Sequence, residues 1–179
     1  MLLYRIININ AAWKSCQDRY QLLMPVVKKQ QSYVLKNEEL RWLNTVVSPA
    51  LSAVTGRRHQ VKSAIIFGQE PGNVQGIHVD GFRKDRQDAS NWALNIPIAA
   101  VGNMQWYSGD FDLSEESTDQ GLRYLQIKWH TGPKEIVNVI VDQPIIVRID
   151  VPHQVTNVST TRRLILSVRF TPDIFTTQI

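Results

Sequence analysis

The sequence predicts a mainly β fold, a sandwich or barrel with supporting helices, and three observations carry that reading. Apolar residues recur at three- and four-residue steps only in the first third of the chain. Beyond residue 60 they form short alternating or continuous runs of strand length. Turn residues separate those runs, at Pro71-Gly72, Gly81, Gly102-Asn103, Gly132-Pro133 and Gln143-Pro144. Short strands in succession, with no helices between them, pack as two sheets or close into a barrel. At 179 residues, 43% apolar and 20% charged, the chain suits one domain with a core of its own and is not a disordered tail. We read that domain over 1–179, helical over about 1–58 and β-barrel over about 59–172.

The elements follow in order. A first helix is expected over 11–23, ending before Pro25. A second starts at Asn37, a cap residue followed by Glu38 and Glu39 in the electropositive first turn. Leu40, Leu43, Val47, Ala50 and Val54 then form one apolar stripe, and Gly56 is placed as the stop. Pro49 lies inside the stripe, which predicts a kink or break near 47–48. Both helices are expected to pack on one face of a sheet. Strands are expected over 61–67, 74–80, 92–98, 104–107, 122–129, 135–141, 145–150 and 163–170. The acidic stretch SGDFDLSEESTDQG at 108–121 reads as a mobile surface loop.

Charge and cysteine usage exclude several classes. Lys and Arg total 20 against 16 Asp and Glu, a mild excess of +4 that permits an anionic substrate without demanding one. A lone cysteine, Cys16, excludes an internal disulfide and a Cys-rich zinc site, and fits a reducing, cytoplasmic setting. Arg5 and Asn8 interrupt the opening MLLYRIININ, so no cleaved leader is expected. No apolar run is long enough to span a membrane as a helix.

Four histidines offer metal or proton chemistry. His59 follows Arg57-Arg58 and is expected in a solvated basic corner, and His130 beside Gly132-Pro133 is expected in a turn. His78 and Asp80 stand two apart in an expected strand, so both side chains leave on one face and can converge on one point. His153 follows the apolar run 145–150 and opens the connection to the last strand. Two imidazoles and one carboxylate on a β scaffold form the facial triad of non-haem iron oxygenases, which keeps coordination positions open. In the last strand Arg163, Ile165, Ser167 and Arg169 alternate with Leu164, Leu166, Val168 and Phe170. A guanidinium on the inward face of a barrel is costly unless it meets an anion. A dicarboxylate would supply one, since a carboxylate accepts both prongs of a guanidinium.

At these residues the sequence resembles the Fe(II)/2-oxoglutarate-dependent oxygenases, especially small microbial and phage members. The matching pieces are HVD at 78–80, PHQVTNVSTTRR at 152–163 and RLILSVRF at 163–170, with WALNIPI at 92–98 and MQWY at 104–107. The likeness covers roughly 61–170. It implies a double-stranded β-helix, the jelly-roll or cupin-like barrel, with helices on its larger sheet. It also implies iron held by His78, Asp80 and His153, and the far carboxylate of 2-oxoglutarate held by Arg163. Ile165 stands where many members carry Ser, which leaves Arg162 as the alternative to Arg163. The spacing of Arg163 and Arg169 resembles the arginine pair of alkylation-repair demethylases, which makes Arg169 a second cosubstrate contact, with a surface ion pair as its plain reading. Tyr107 and Asn95 are candidate hydrogen-bond partners of 2-oxoglutarate, against the plain readings of core tyrosine and turn-facing asparagine.

The implied activity is oxidation, by hydroxylation, with Fe(II), O2 and 2-oxoglutarate, releasing succinate and CO2, with ascorbate as an aid in vitro. The expected substrate is a small molecule or a peptidyl residue, with nucleic acid as the less favoured class. Arg83, Lys84 and Arg86 are expected in solvent, or else beside an anionic substrate; Trp106 and Trp129 are expected in the core. Two other readings keep the barrel: a cupin-like metalloenzyme without 2-oxoglutarate, and a non-catalytic binding module.

Overall fold

Along the final strand, Arg163–Thr171, successive residues enter two different cores. Leu164, Leu166, Val168 and Phe170 join the helices in one apolar cluster, while Ile165 joins a second cluster lying between two sheets. The period of two that separates them is the whole basis of the layered architecture.

The computed structural model describes residues 1–23, 32–80, 91–117 and 123–173. Its elements are β1 (Tyr4–Ile6), α1 (Asn10–Tyr20), β2 (Ser32–Val34), α2 (Asn37–Thr55), β3 (Gln60–Gln69), β4 (His78–Val79), β5 (Trp92–Ala99), β6 (Gly102–Ser108), β7 (Phe111–Ser117), β8 (Arg123–Trp129), β9 (Lys134–Val141), β10 (Ile145–Arg148), β11 (His153–Asn157) and β12 (Arg163–Thr171). Two six-stranded antiparallel sheets result, in the orders β1-β10-β5-β12-β3-β2 and β7-β8-β4-β11-β6-β9. The fold is mainly β, of the cupin or double-stranded β-helix type. No helix among the described residues is long and apolar enough to cross a membrane.

Both helices lie on the first sheet, as the stripe on α2 predicts. The central strand β5 is buried on both faces because helices cover one side and the second sheet the other. The indole N–H of Trp13 on α1 donates to the Pro97 carbonyl at 2.7 Å, pinning α1 to β5. Pro97 itself has no N–H to give a central ladder, and the β12 pairing carries an irregularity beside it, between Leu164 and Ile165.

Several expectations need correcting. Helix α2 runs through Pro49 without a break. A proline there costs about 3 kcal/mol, but Leu43, Val47 and Leu51 are wholly buried, at about 1.5–3 kcal/mol each. Asn44 adds to this by bonding Val61 of β3 in both directions, as donor to its carbonyl and acceptor from its N–H. The cap position is Lys36, not Asn37, and no side chain caps it. Glu39 instead takes two hydrogen bonds from Arg19 and one from Tyr20, tying the helices together. Gly56 does end the helix, in the left-handed region at φ 71°, its N–H reaching the Ser52 carbonyl.

Four strands lie where none was expected within the described chain. β1 and β2 are sheet edges in the supposedly helical front. β7 occupies most of the expected loop: over 111–117 it pairs residue by residue with β8, though nearly all of it is exposed. Its acidic side chains suit an exposed edge, which they guard against pairing with other chains. β11 fills the expected connection after His153. Conversely, the strand expected over 74–80 shrinks to β4 and an isolated bridge between Val74 and Thr156. His59 is buried rather than solvated, with its ring bonded to the Thr55 hydroxyl and the Pro172 carbonyl.

Candidate metal centre

β4 and β11 are antiparallel neighbours, and His78 stands directly opposite His153. Opposed residues point to the same face about 4.5–5.5 Å apart, and the two ring centroids are 4.5 Å apart. Asp80 lies one residue past β4, yet its N–H bonds the Ile149 carbonyl and keeps the extended course. Period two therefore returns its side chain to the face of His78. The His78 Nε2 lies 3.4 Å from Asp80 Oδ1, and the His153 Nε2 lies 3.9 Å from Asp80 Oδ2. One ligand atom from each residue lies within 4.8 Å of the others.

The two rings are fixed alike. His78 Nδ1 lies 2.7 Å from the Gly76 carbonyl, and His153 Nδ1 lies 2.9 Å from the Val151 carbonyl. A carbonyl only accepts, so each Nδ1 carries the hydrogen and each neutral ring presents its lone pair at Nε2, toward Asp80. Carbonyl partners of this kind set the tautomer and orientation of metal-binding histidines. Two oriented, buried nitrogens and one half-buried carboxylate fit a divalent ion of the first transition row.

The charges are strongly coupled. Burial is the largest influence on His153 and, with the neighbouring His78 charge, pushes it down to about 4. Burial also pulls His78 down, but the hydrogen bond and charge of Asp80 outweigh it and leave that ring raised. Burial would lift the Asp80 carboxyl; His78, His153 and Arg169 overcome it and hold the group well below the usual carboxylate range.

β12 supplies the rest of the interior. Arg169 donates from Nη2 to Asp80 Oδ2 at 3.0 Å and from Nη1 to the Ser167 hydroxyl at 2.7 Å. Arg163 is 3% exposed, and Nη1 donates to the Gln69 side-chain oxygen at 2.8 Å. Among the described residues it meets no carboxylate, and burial pulls its guanidinium down to about 10. A Cβ at Gly102 would sit 2.4 Å from Arg163 Nε and 2.7 Å from its Cδ, so the arginine lies across a glycine by necessity. Asn95 stands opposite Ser167 and shares the face of Ala93, which packs in the core between the sheets. Its Oδ1 is buried with no partner among the described residues.

Other expected site residues lie elsewhere. The Tyr107 hydroxyl bonds Gln154, which alternates with His153, so Tyr107 sits on the far face of the sheet from the triad. Arg162 pairs with Glu70. His130 lies in the bend after β8, as expected, with its ring beside Asp112 of β7. Trp106 is core. Arg83, Lys84 and Arg86 fall outside the described residues. Gln69 and Gly102 were not singled out from sequence as site residues: Gln69 meets Arg163 only through strand register, and Gly102 reads as a turn.

Comparison with known proteins adds the fold. No family model matches the chain, and neither does any curated protein. Among solved structures, an apo non-heme monooxygenase, ThoJ, aligns over 96% of this chain and 75% of its own at 16% identity and a TM-score of 0.52. A 2OG-Fe(II) oxygenase family oxidoreductase from Burkholderia pseudomallei aligns over 74% of this chain at 12% identity and TM-score 0.41, and an oxalate decarboxylase from Lactobacillus farciminis over 76% at 10% and 0.37. The chain spans 54% of that oxidoreductase and 27% of the decarboxylase. At such identities the likeness is one of fold.

Proposed function

We propose that this chain is an Fe(II)- and 2-oxoglutarate-dependent oxygenase that hydroxylates its substrate and releases succinate and CO2. The observation that carries the reading is Arg163, a buried guanidinium with no carboxylate among the described residues, on the same strand face that leads to Arg169 and Asp80. A buried charge without a counter-charge costs several kcal/mol, so the arrangement makes sense when an anionic ligand completes it.

Iron held by His78, Asp80 and His153 would supply the oxidising chemistry, through the positions that three protein ligands leave open to cosubstrate and O2. The protein's own residues do the rest. Arg163 would take the far carboxylate in a two-pronged contact, steered by Gln69 and by the clearance over Gly102. Asn95, on the neighbouring strand and with its Oδ1 unpartnered among the described residues, would donate from its amide nitrogen to the ligand. Ile165, Met104 and Trp106 keep the interior between the sheets apolar, which excludes water and strengthens the charge contacts.

The test is succinate formation from 2-oxoglutarate on adding Fe(II) and ascorbate, with binding of 2-oxoglutarate to the Ni(II)-loaded protein measured alongside. Succinate and binding together support the reading. Metal binding without 2-oxoglutarate binding would assign the chain to metalloenzymes of this barrel that do not use the cosubstrate.

A further inference from the structure

We propose that Arg169 is a positioning residue for Asp80: by holding Oδ2 it leaves Oδ1 as the one carboxylate oxygen offered to a metal. The inference rests on the metal reading of the triad and adds what keeps that site open.

A carboxylate can grip a metal with one oxygen or with both. Gripping with both would consume one of the positions that make a three-ligand site useful. The Arg169 Nη2 lies 3.0 Å from Oδ2, a charge-assisted hydrogen bond of the strong class. The Oδ1 atom, in contrast, takes no bond from Arg169 and lies 3.4 Å from His78 Nε2, while the guanidinium-held Oδ2 lies farther from its nearest imidazole, 3.9 Å from His153 Nε2.

Arg169 is not free to follow Asp80 wherever a metal draws it. Its Nη1 is anchored to the Ser167 hydroxyl at 2.7 Å on the same strand, and β12 is paired on both sides, to β3 and β5. The fork is thus held at one prong and directs the other at Oδ2. A loose surface ion pair has no such anchor and is worth little. A contact devoted to cosubstrate would leave the terminal nitrogens uncommitted, whereas here each has a protein partner.

Mn(II) is the probe, because a bound Mn(II) relaxes water protons in proportion to the waters it holds, and no turnover is needed. The comparison is among wild type, Arg169→Met and Arg169→Lys, each titrated to one Mn(II) per chain. With Oδ2 released, Arg169→Met should bind Mn(II) through both oxygens and lose about a third of the relaxation enhancement, one of three open positions being taken. Arg169→Lys, which can still donate to Oδ2, should retain most of it. Should Arg169→Met not fold, Arg169→Gln takes its place: it keeps a polar group in the barrel but falls short of Oδ2, and the same loss is expected. Wild-type relaxation in the folded Met or Gln variant at full Mn(II) loading would overturn the positioning role while leaving the triad intact. Failure of the wild-type protein to bind Mn(II) would instead overturn the metal reading, and this inference with it.

Discussion

His78 and His153 face each other across two adjacent antiparallel strands with ring centroids 4.5 Å apart, and each is bonded through Nδ1 to the carbonyl two residues before it. The pairing register and a repeated local turn therefore aim two lone pairs at one point. Backbone, not side-chain packing alone, sets this geometry, so it should persist when one ligand is removed.

The protein should bind one divalent ion per chain. His78→Ala and His153→Ala should each weaken binding at least about tenfold, and the double substitution should abolish it. Calorimetric titration with Ni(II) or Zn(II) checks this. Undiminished binding by the double variant would refute the triad.

Gly102→Ala tests the clearance beneath Arg163. The added Cβ would also lie 2.8 Å from the Thr156 carbonyl oxygen, so backbone as well as side chain must shift. Overpacking of this kind costs about 1–3 kcal/mol. The melting temperature should fall by several degrees and affinity for 2-oxoglutarate by about tenfold or more, with metal affinity nearly unchanged. Wild-type affinity for 2-oxoglutarate would mean that the arginine's course over Gly102 is immaterial to the ligand.

The parts of this protein that are legible in its sequence are those with a buried face. β12, β5 and α2 announce themselves because each buries an apolar row at its own period. β7 does not, because it buries almost nothing and is held by its ladder to β8, a long-range property that no local pattern records. Asn37 misleads as a cap since the helix begins one residue earlier, with Lys36 in the capping position. In the site, His78 and Asp80 are visible through their spacing, but the partnership of Arg169 with Asp80 spans 89 residues and exists only once β12 is placed. Gln69 is hidden for the same reason, meeting Arg163 across the β3–β12 ladder.

His59 gives a pH prediction away from the metal ligands. Burial is the main cause of its lowered pKa; the Arg57 charge pushes the same way, and the Pro172 carbonyl and Asp173 push against it. A group with a folded pKa below its unfolded value of about 6.5 takes up fewer protons in the native state. Its contribution to stability is thus complete above about pH 6.5 and declines as pH falls through that value toward the folded pKa. His59→Gln should be less stable at pH 7.5, by about 1 kcal/mol per lost hydrogen bond, or about 2–4 °C for each in a chain of this size. The gap between wild type and variant should narrow toward pH 5. Thermal melts at the two pH values read this directly, and a constant gap would show that His59 remains as protonatable folded as unfolded.

Arg163 and Arg162 provide the sharpest comparison, because neighbours in the chain have different surroundings. Arg163 is buried and bonded to the neutral Gln69, whereas Arg162 pairs with the exposed Glu70. If Arg163 clamps the far carboxylate, Arg163→Ala should weaken 2-oxoglutarate binding by about 2–4 kcal/mol, roughly 30- to 1,000-fold. Arg163→Lys should recover part of the loss, since ammonium keeps the charge without the fork. Arg162→Ala should change affinity little, because Arg162, just before β12, alternates with Arg163 and its guanidinium is paired with Glu70. Stability should move in the opposite direction from binding. An uncompensated guanidinium in the barrel is a cost in the ligand-free protein, so Arg163→Met, which fills similar volume without charge, should melt at or above the wild-type temperature while failing to bind 2-oxoglutarate. A structural arginine would behave in reverse: Arg163→Met would melt several degrees lower and 2-oxoglutarate affinity would be unchanged in every variant. That outcome would remove the observation on which the oxygenase reading stands, and would leave the metal site to be explained without this cosubstrate.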